Sequence, residues 1–308
     1  GNRIIFIRNC SSMIEKSIPE LVLSGLHKIL VTGALSKGWG GPACRAALDM
    51  KTHMTESFVW LTLAIVAYFA YGVSKKYKSL IKNIQIDLSK TPINSIARVF
   101  ELVVGTIHFM MFAQIIYYKA NILSMINMIQ PCHVILLLQG IALYSTGTTG
   151  VIISLCVLPA LTGTLLAMLF PDTGGLDQPF EMESYWIQHY LIQAVPLYLL
   201  IRRDFVALKN SSFFNIFCGL WILLVLHFSL YEWVDLALNV NVEFMLCPTA
   251  AMLHIFPLVP TWVLWPSYRS TLTYVVFIVG TLISYSYVAL AAAIRLAMGG
   301  AGAKRKTM

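Results

Sequence analysis

Seven long runs almost free of formal charge constrain this chain more than any other feature. They span 57–73, 96–118, 122–144, 150–170, 185–201, 213–231 and 271–294. A helix needs roughly 20 apolar residues to cross the hydrocarbon core of a bilayer. Within lipid, only a helix or a closed barrel satisfies its own backbone hydrogen bonds. Only 96–118 carries formal charges, Arg98 and Glu101, and the shorter runs must borrow flanking residues to span. The composition agrees: 58% hydrophobic and 12% charged, with mean hydropathy +0.73, whereas a soluble domain is about half apolar and a quarter charged. The expected fold is an all-α integral membrane protein with about seven transmembrane helices. There is no internal repeat and no low-complexity linker. The expected organisation is a segment 1–56, a transmembrane helical domain 57–295 and a basic tail 296–308.

The net charge of +8 would suit nucleic acid, but its distribution argues for a membrane. The connection 74–95, read as a loop, holds Lys75, Lys76, Lys78, Lys82 and Lys90 against Asp87. The loop 202–212 holds Arg202, Arg203 and Lys209 against Asp204, and the tail holds Arg295, Lys304, Arg305 and Lys306. By contrast, 171–184 carries Asp172, Asp177, Glu181 and Glu183 with no Lys or Arg, and 232–243 carries Glu232, Asp235 and Glu243. Basic and acidic connections alternate as the positive-inside rule requires for seven spans. The N-terminus is then expected in the lumen and the C-terminus in the cytosol. The seven Lys/Arg of the first 56 residues run against this, although long segments translocate with less regard for charge. The chain opens on Gly1 rather than Met, so its first residue does not define the protein's own N-terminus. The charge-free stretch 244–266 contains Pro248, Pro257, Pro260 and Pro266. An eighth span there would put the basic tail on the wrong side, so a re-entrant or interfacial hairpin is expected.

The six cysteines show no C-x-x-C and no zinc spacing. Cys156 and Cys218 read as small core residues. Cys44 and Cys247 both fall on the expected lumenal side, where an oxidising environment permits pairing; the sequence leaves open whether they pair. No run of His, Asp and Glu has metal-ligand spacing, and no hydrolase elbow, P-loop or dinucleotide turn is present. Neither a metal nor a soluble cofactor is expected.

Two polar constellations interrupt the apolar runs. In "MIQPCHVILLL", 128–138, Pro131 cannot donate to the carbonyl of Asn127. The span 122–144 should therefore break near Asn127, Gln130 and His133, with Cys132 at the break. In "PFEMESYWIQHY", 179–190, and just beyond it, Tyr185, Gln188, His189, Ile192, Gln193 and Pro196 share one helix face. Polar groups in lipid turn inward to protein or water. His189 lies about 6 Å inside the boundary at 1.5 Å per residue. If the third span restarts at Pro131, Cys132 lies near the same end and the two can meet. A thiol, with a pKa near 8.5, is a poor nucleophile until ionised, and an imidazole within reach takes its proton as sulfur attacks. In a dry pocket the resulting thioester waits for an acceptor other than water. On spacing alone, packing at Cys132 and a helix-to-helix hydrogen bond at His189 are the commoner uses of such residues. His133, Gln188 and His227 are supporting candidates, and Glu181 or Glu183 is a candidate to orient His189. Glu101 and His108 face the same way; a structural hydrogen bond is the expected use of Glu101, with Arg98 or Thr106 as partner. His53 reads as solvated or interfacial, and His254 has no assignment.

The chain resembles the transmembrane protein 164 family of polytopic acyltransferases. The matching blocks are "GWGGPAC" (38–44), "TES" (55–57), "QPCHV" (130–134), "LLAMLFP" (165–171), "PFEMESYWIQH" (179–189), "VPLYLL" (195–200), "HFSL" (227–230) and "VNVEFMLCP" (240–248). The resemblance implies a coenzyme A-independent transacylase that moves a polyunsaturated acyl chain from a donor phospholipid to a lysophospholipid acceptor of the ether type. It implies Cys132 as nucleophile and His189 as its partner. The segment 249–272 and the last span match only in character. The C-terminal "KRKTM" resembles a lysine-based retrieval signal for the endoplasmic reticulum, although positive-inside anchoring explains it as simply. Two other functions fit the residues: a lipid ester hydrolase using the same Cys/His pair, and a non-enzymatic transporter or receptor. Protein partners are not indicated.

Overall fold

The computed structural model describes residues 18–90, 95–171, 173–202, 212–248 and 267–305. Among them the chain is helical, with no strand and one isolated bridge between Gly40 and Val240. The helices are α1 (Ile18–Ser36), α2 (Pro42–Arg45), α3 (Met50–Tyr71), α4 (Val73–Lys90), α5 (Ser95–Asn121), α6 (Pro131–Tyr144), α7 (Thr148–Cys156), α8 (Leu161–Leu169), α9 (Glu181–Arg202), α10 (Ser212–Val225), α11 (Glu232–Leu238) and α12 (Tyr268–Arg305). A 3-10 helix, Met125–Ile129, precedes α6, and a π-helical turn, Leu226–Tyr231, joins α10 to α11.

Four stretches are long and apolar enough to cross a membrane: Met50–Tyr71, Ser95–Asn121, Ile216–Leu238 and Tyr268–Met298. A fifth is reached if α7 and α8, bent by 45° at their junction, form one span. This is an all-α membrane protein. The 14 residues of α6 fall short alone, and α9 carries Glu181, Glu183 and Arg202 at its ends. Seven spans therefore stays an expectation from sequence.

Prolines and the groups that answer them set the interior. Pro131 starts α6, and the carbonyl it cannot reach, that of Asn127, accepts from the Gln130 amide at 3.1 Å and from His133 Nδ1 at 2.7 Å. Pro196 lies inside α9, and the carbonyl it leaves free, that of Ile192, accepts from Gln139 Nε2 at 2.9 Å. Each orphaned acceptor is met by a side chain, as a lipid-embedded backbone requires. The Gln139–Ile192 bond also locks the register of α6 on α9.

Small residues admit close contacts. A Cβ on Gly105 would stand 2.7 Å from the Tyr144 ring, which seats α5 antiparallel against α6. Arg98 of α5 donates to the Leu143 carbonyl at 2.6 Å and to that of Tyr144, closing the C-terminus of α6. Glu101 takes Arg98 at 3.2 Å, the structural use expected for it.

Two expectations are corrected. The basic connection 74–95 is largely helix: α4 buries Val73, Leu80 and Ile84 and exposes Lys75, Lys76, Lys78 and Lys82. Apolar residues seven and four apart give it one face to bury, and charge counting ignored that spacing. His53 is not solvated; it is 1% exposed, inside a charged cluster. Within that cluster Arg269 Nε donates to Glu56 Oε2 at 2.6 Å, and its Nη1 donates to Glu232 Oε1 at 2.7 Å. Ser267 and Ser270 donate to Glu56 at 2.7 and 2.8 Å, and Ser57 donates to Glu232. The cluster ties the starts of α3, α11 and α12 together.

It also places Glu232 and Arg269 at the same end of the bundle. Most of the hairpin expected at 244–266 lies outside the described residues, as do most of the 202–212 loop and the final three residues.

Candidate functional site

Cys132 is the second residue of α6, immediately after the 3-10 helix ends at Ile129. The sequence breaks there because Pro131 is tolerated at the first helical position and not inside a helix. Cys132 is a free, half-buried thiol.

His189 sits on α9, 2% exposed, with its ring tilted against that of Tyr185, centroids 4.1 Å apart. Its Nδ1 donates to the Tyr185 carbonyl at 2.6 Å, and its Nε2 has no hydrogen-bond partner among the described residues. A neutral imidazole fixed in this tautomer presents a lone pair at Nε2. His133 is held alike, with Nδ1 on the Asn127 carbonyl.

The helices α6 and α9 run parallel, because each runs antiparallel to α5. Gly105 meets Tyr144 and Gly140 meets His108, while Tyr118 donates to the Pro179 carbonyl and the Phe100 ring lies against that of Tyr198. From the Gln139–Ile192 contact, Cys132 lies seven residues back along α6 and His189 three back along α9. The axial offset is therefore about 6 Å at 1.5 Å per residue. The two expected catalytic residues share one end of the bundle on neighbouring helices, without a hydrogen bond between them. His133 stands next to Cys132 and is the electrostatic neighbour of His189.

The supporting residues divide. Gln188 is buried on the His189 face of α9. Glu181 does not orient His189: it pairs with Lys119 at 3.3 Å and accepts from the Gln178 amide at 3.2 Å. Glu183 is exposed. The orienting role falls to the Tyr185 carbonyl, four residues back on the same helix, a distance no carboxylate in the first turn can match. His227 lies on the π-helical turn, with Nδ1 on the Leu223 carbonyl at 3.0 Å and Nε2 3.9 Å from Glu243. It lines a shallow apolar groove with Phe228, Met245, Leu272, Val276 and Phe277.

Three residues near Cys132 were not singled out from sequence. Lys119 and Glu243 are its electrostatic neighbours. Tyr231, 3% exposed, donates to the Ile129 carbonyl at 2.9 Å and fixes the 3-10 helix from the π-helical turn. Two distant blocks close over this end. The Gly41 amide donates to the Asn239 carbonyl at 2.7 Å, the Asn241 amide to the Trp39 carbonyl at 3.1 Å, and Cys44 is disulfide-bonded to Cys247. Glu243 belongs to this clamp. Burial, and after it the nearby Asp235, hold its carboxyl well above the ordinary range. Among the described residues no group of His, Cys, Asp and Glu could hold a metal ion.

The fold and this end of the bundle define a polytopic helical membrane protein with an intramembrane thiol and two fixed imidazoles. Comparison with protein families places it further. The TMEM164 family matches over residues 49–281, well over half the chain, so the protein belongs to the TMEM164 family. The match takes in the 3-10 break, α9 and the 240–248 block. No solved structure matches the chain.

Proposed function

We propose that this protein is a membrane acyltransferase in which Cys132 attacks the ester carbonyl of a donor phospholipid. His189 Nε2 accepts the thiol proton and returns it to the departing lysophospholipid oxygen. The acyl group rests on sulfur as a thioester. His189 then deprotonates the hydroxyl of an acceptor lysophospholipid, which attacks the thioester and frees the thiol. Following the family resemblance, the acyl chain is polyunsaturated, the acceptor is an ether lipid, and coenzyme A takes no part. The observation that carries this reading is a thiol at a helix start on the same end of the bundle as a buried imidazole whose Nε2 has no partner among the described residues. The offset between them narrows when substrate binds, as catalytic contacts commonly tighten in the reacting complex.

Orientation follows in the same reading. A lumenal Cys132 end is supported by the disulfide beside it, and a cytosolic opposite end by the exposed lysines of α4. The tail lysines would then face the cytosol, where a retrieval signal for the endoplasmic reticulum is read.

The test is reconstitution in vesicles with a labelled diacyl phospholipid and an ether lysophospholipid. Label appearing in the ether lipid supports the transferase. Label released only as free fatty acid makes the protein a hydrolase, and no ester chemistry returns it to the transporter or receptor class.

A further inference from the structure

A buried ion pair beside the nucleophile takes no part in the mechanism above. Lys119, in the last turn of α5, is 8% exposed at its side chain, and Glu181, in the first turn of α9, is 5% exposed. Burying such a pair costs several kcal/mol per ion before attraction offsets it, so its retention calls for an account. Glu181 is well served: the Gln178 amide and the Lys119 ammonium donate to it, and it lies at a helix N-terminus. Lys119 is not. An ammonium has three donors, and among the described residues Lys119 Nζ has one hydrogen-bond acceptor, Glu181, with the face of Trp39 at 5.5 Å.

The pair is wired to the nucleophile through backbone. The Lys119 carbonyl accepts from the Ser124 amide at 2.8 Å, the Ser124 carbonyl from the Asn127 amide at 3.1 Å, and the Asn127 carbonyl from His133. Lys119 is also an electrostatic neighbour of both Cys132 and His133. In a glycerophospholipid the ester carbonyl lies between the tails and the phosphate. With the ester at Cys132 and the tails toward the bilayer core, the phosphate falls toward the end of the bundle, where Lys119 stands.

We infer that Lys119, seated between Glu181 and the ring of Trp39, binds the phosphate of the phospholipid whose ester meets Cys132. The unused ammonium donors take the phosphate oxygens. Glu181 and the Trp39 face receive the cationic end of a zwitterionic headgroup. The subsite thus reads a zwitterionic phospholipid and not a neutral glyceride. This rests on the transferase reading for its substrate class.

The test uses native mass spectrometry of the full chain in detergent, titrated with a dialkyl phosphatidylcholine, which has a phosphate but no ester. The variants are Lys119→Arg and the double Lys119→Met/Glu181→Gln, which leaves no unpaired buried charge. Wild type and Lys119→Arg should bind the lipid alike, and the double variant roughly tenfold more weakly. All three should bind a dialkylglycerol equally. Unchanged phosphatidylcholine binding in the double variant, or an equal loss for both lipids, would overturn the assignment. Displacement of the lipid by millimolar inorganic phosphate would reassign the site to the free ion. Because the probe cannot acylate, Cys132→Ala should bind as wild type does. Failure of the transferase chemistry is therefore read separately from failure of this subsite.

Discussion

Cys132 and the imidazoles divide the residue-scale work by what each atom is already doing. His189 and His133 both spend Nδ1 on a backbone carbonyl, so each has only Nε2 for chemistry. Replacing His189 by Gln removes that lone pair, and transfer should fall by about 10²–10⁴-fold, the usual contribution of a positioned acid–base group. His133→Gln should cost less, since His189 stays in place; initial rates in vesicles compare the two. Glu243 supports a pH prediction. Its carboxyl is held well above the ordinary glutamate value of about 4.5, chiefly by burial. The folded state then binds the proton more tightly than the unfolded one, so its contribution to stability is complete at low pH and shrinks as pH rises above about 4.5. Glu243→Gln should flatten that decline, measured as thermal midpoints across pH 4–8; an unchanged slope would contradict it. Cys132 and His189 were legible as candidates because proline and a polar stripe interrupt apolar runs. Lys119 and Tyr231 were not, because their meaning lies in partners 62 and 102 residues away, which no local spacing encodes.

At the scale of elements, breaks in helices matter more than the helices. The span 122–144 divides at Pro131 as its sequence requires, and the orphaned carbonyl is answered from within by His133. Substituting Pro131→Ala restores the missing donor and invites α6 to extend backward through Ile129. Little stability should be lost, while the sulfur leaves the helix start and transfer drops; a rate equal to wild type would show the break to be incidental. Gly33 of α1 marks the other side of this break. Its amide donates to the Leu123 carbonyl at 3.0 Å, and a Cβ there would lie 1.7 Å from the Ile122 carbonyl oxygen. Gly33→Ala should destabilise the protein by about 3 kcal/mol or more through overpacking, read as a lowered thermal midpoint in detergent. The sequence showed α3, α5 and α12 plainly, since each is a sustained apolar run. It did not show α4 as a helix, because its lysines outweighed the three apolar residues of its buried face, nor did it show the π-helical turn, whose composition matches its neighbours.

Across the whole molecule, one end carries the largest buried charged cluster. The Arg269–Glu56–Glu232–His53 cluster, the disulfide clamp and the site all lie there, and the opposite end presents the lysines of α4. Removing one partner of a buried ion pair costs about 3–5 kcal/mol because the other charge is left uncompensated. Arg269→Leu should therefore abolish accumulation of folded protein, whereas the exposed Lys75→Leu should not; detergent size-exclusion profiles separate them. The long apolar runs made the helical membrane bundle readable from sequence. The clamp was half readable, with Cys44 and Cys247 placed on one side, but Trp39–Asn241 and Arg269–Glu232 join residues that only the finished fold brings together. The claim on which the functional account depends is that Cys132 carries the acyl group. Purified protein incubated with a polyunsaturated phospholipid, then digested and analysed by mass spectrometry without thiol reductant, should show the acyl mass on the peptide containing Cys132. Hydroxylamine should release it, and Cys132→Ala should show neither adduct nor transfer. Acyl transfer that persists in Cys132→Ala, or that proceeds in wild type with no adduct on that peptide, would contradict it.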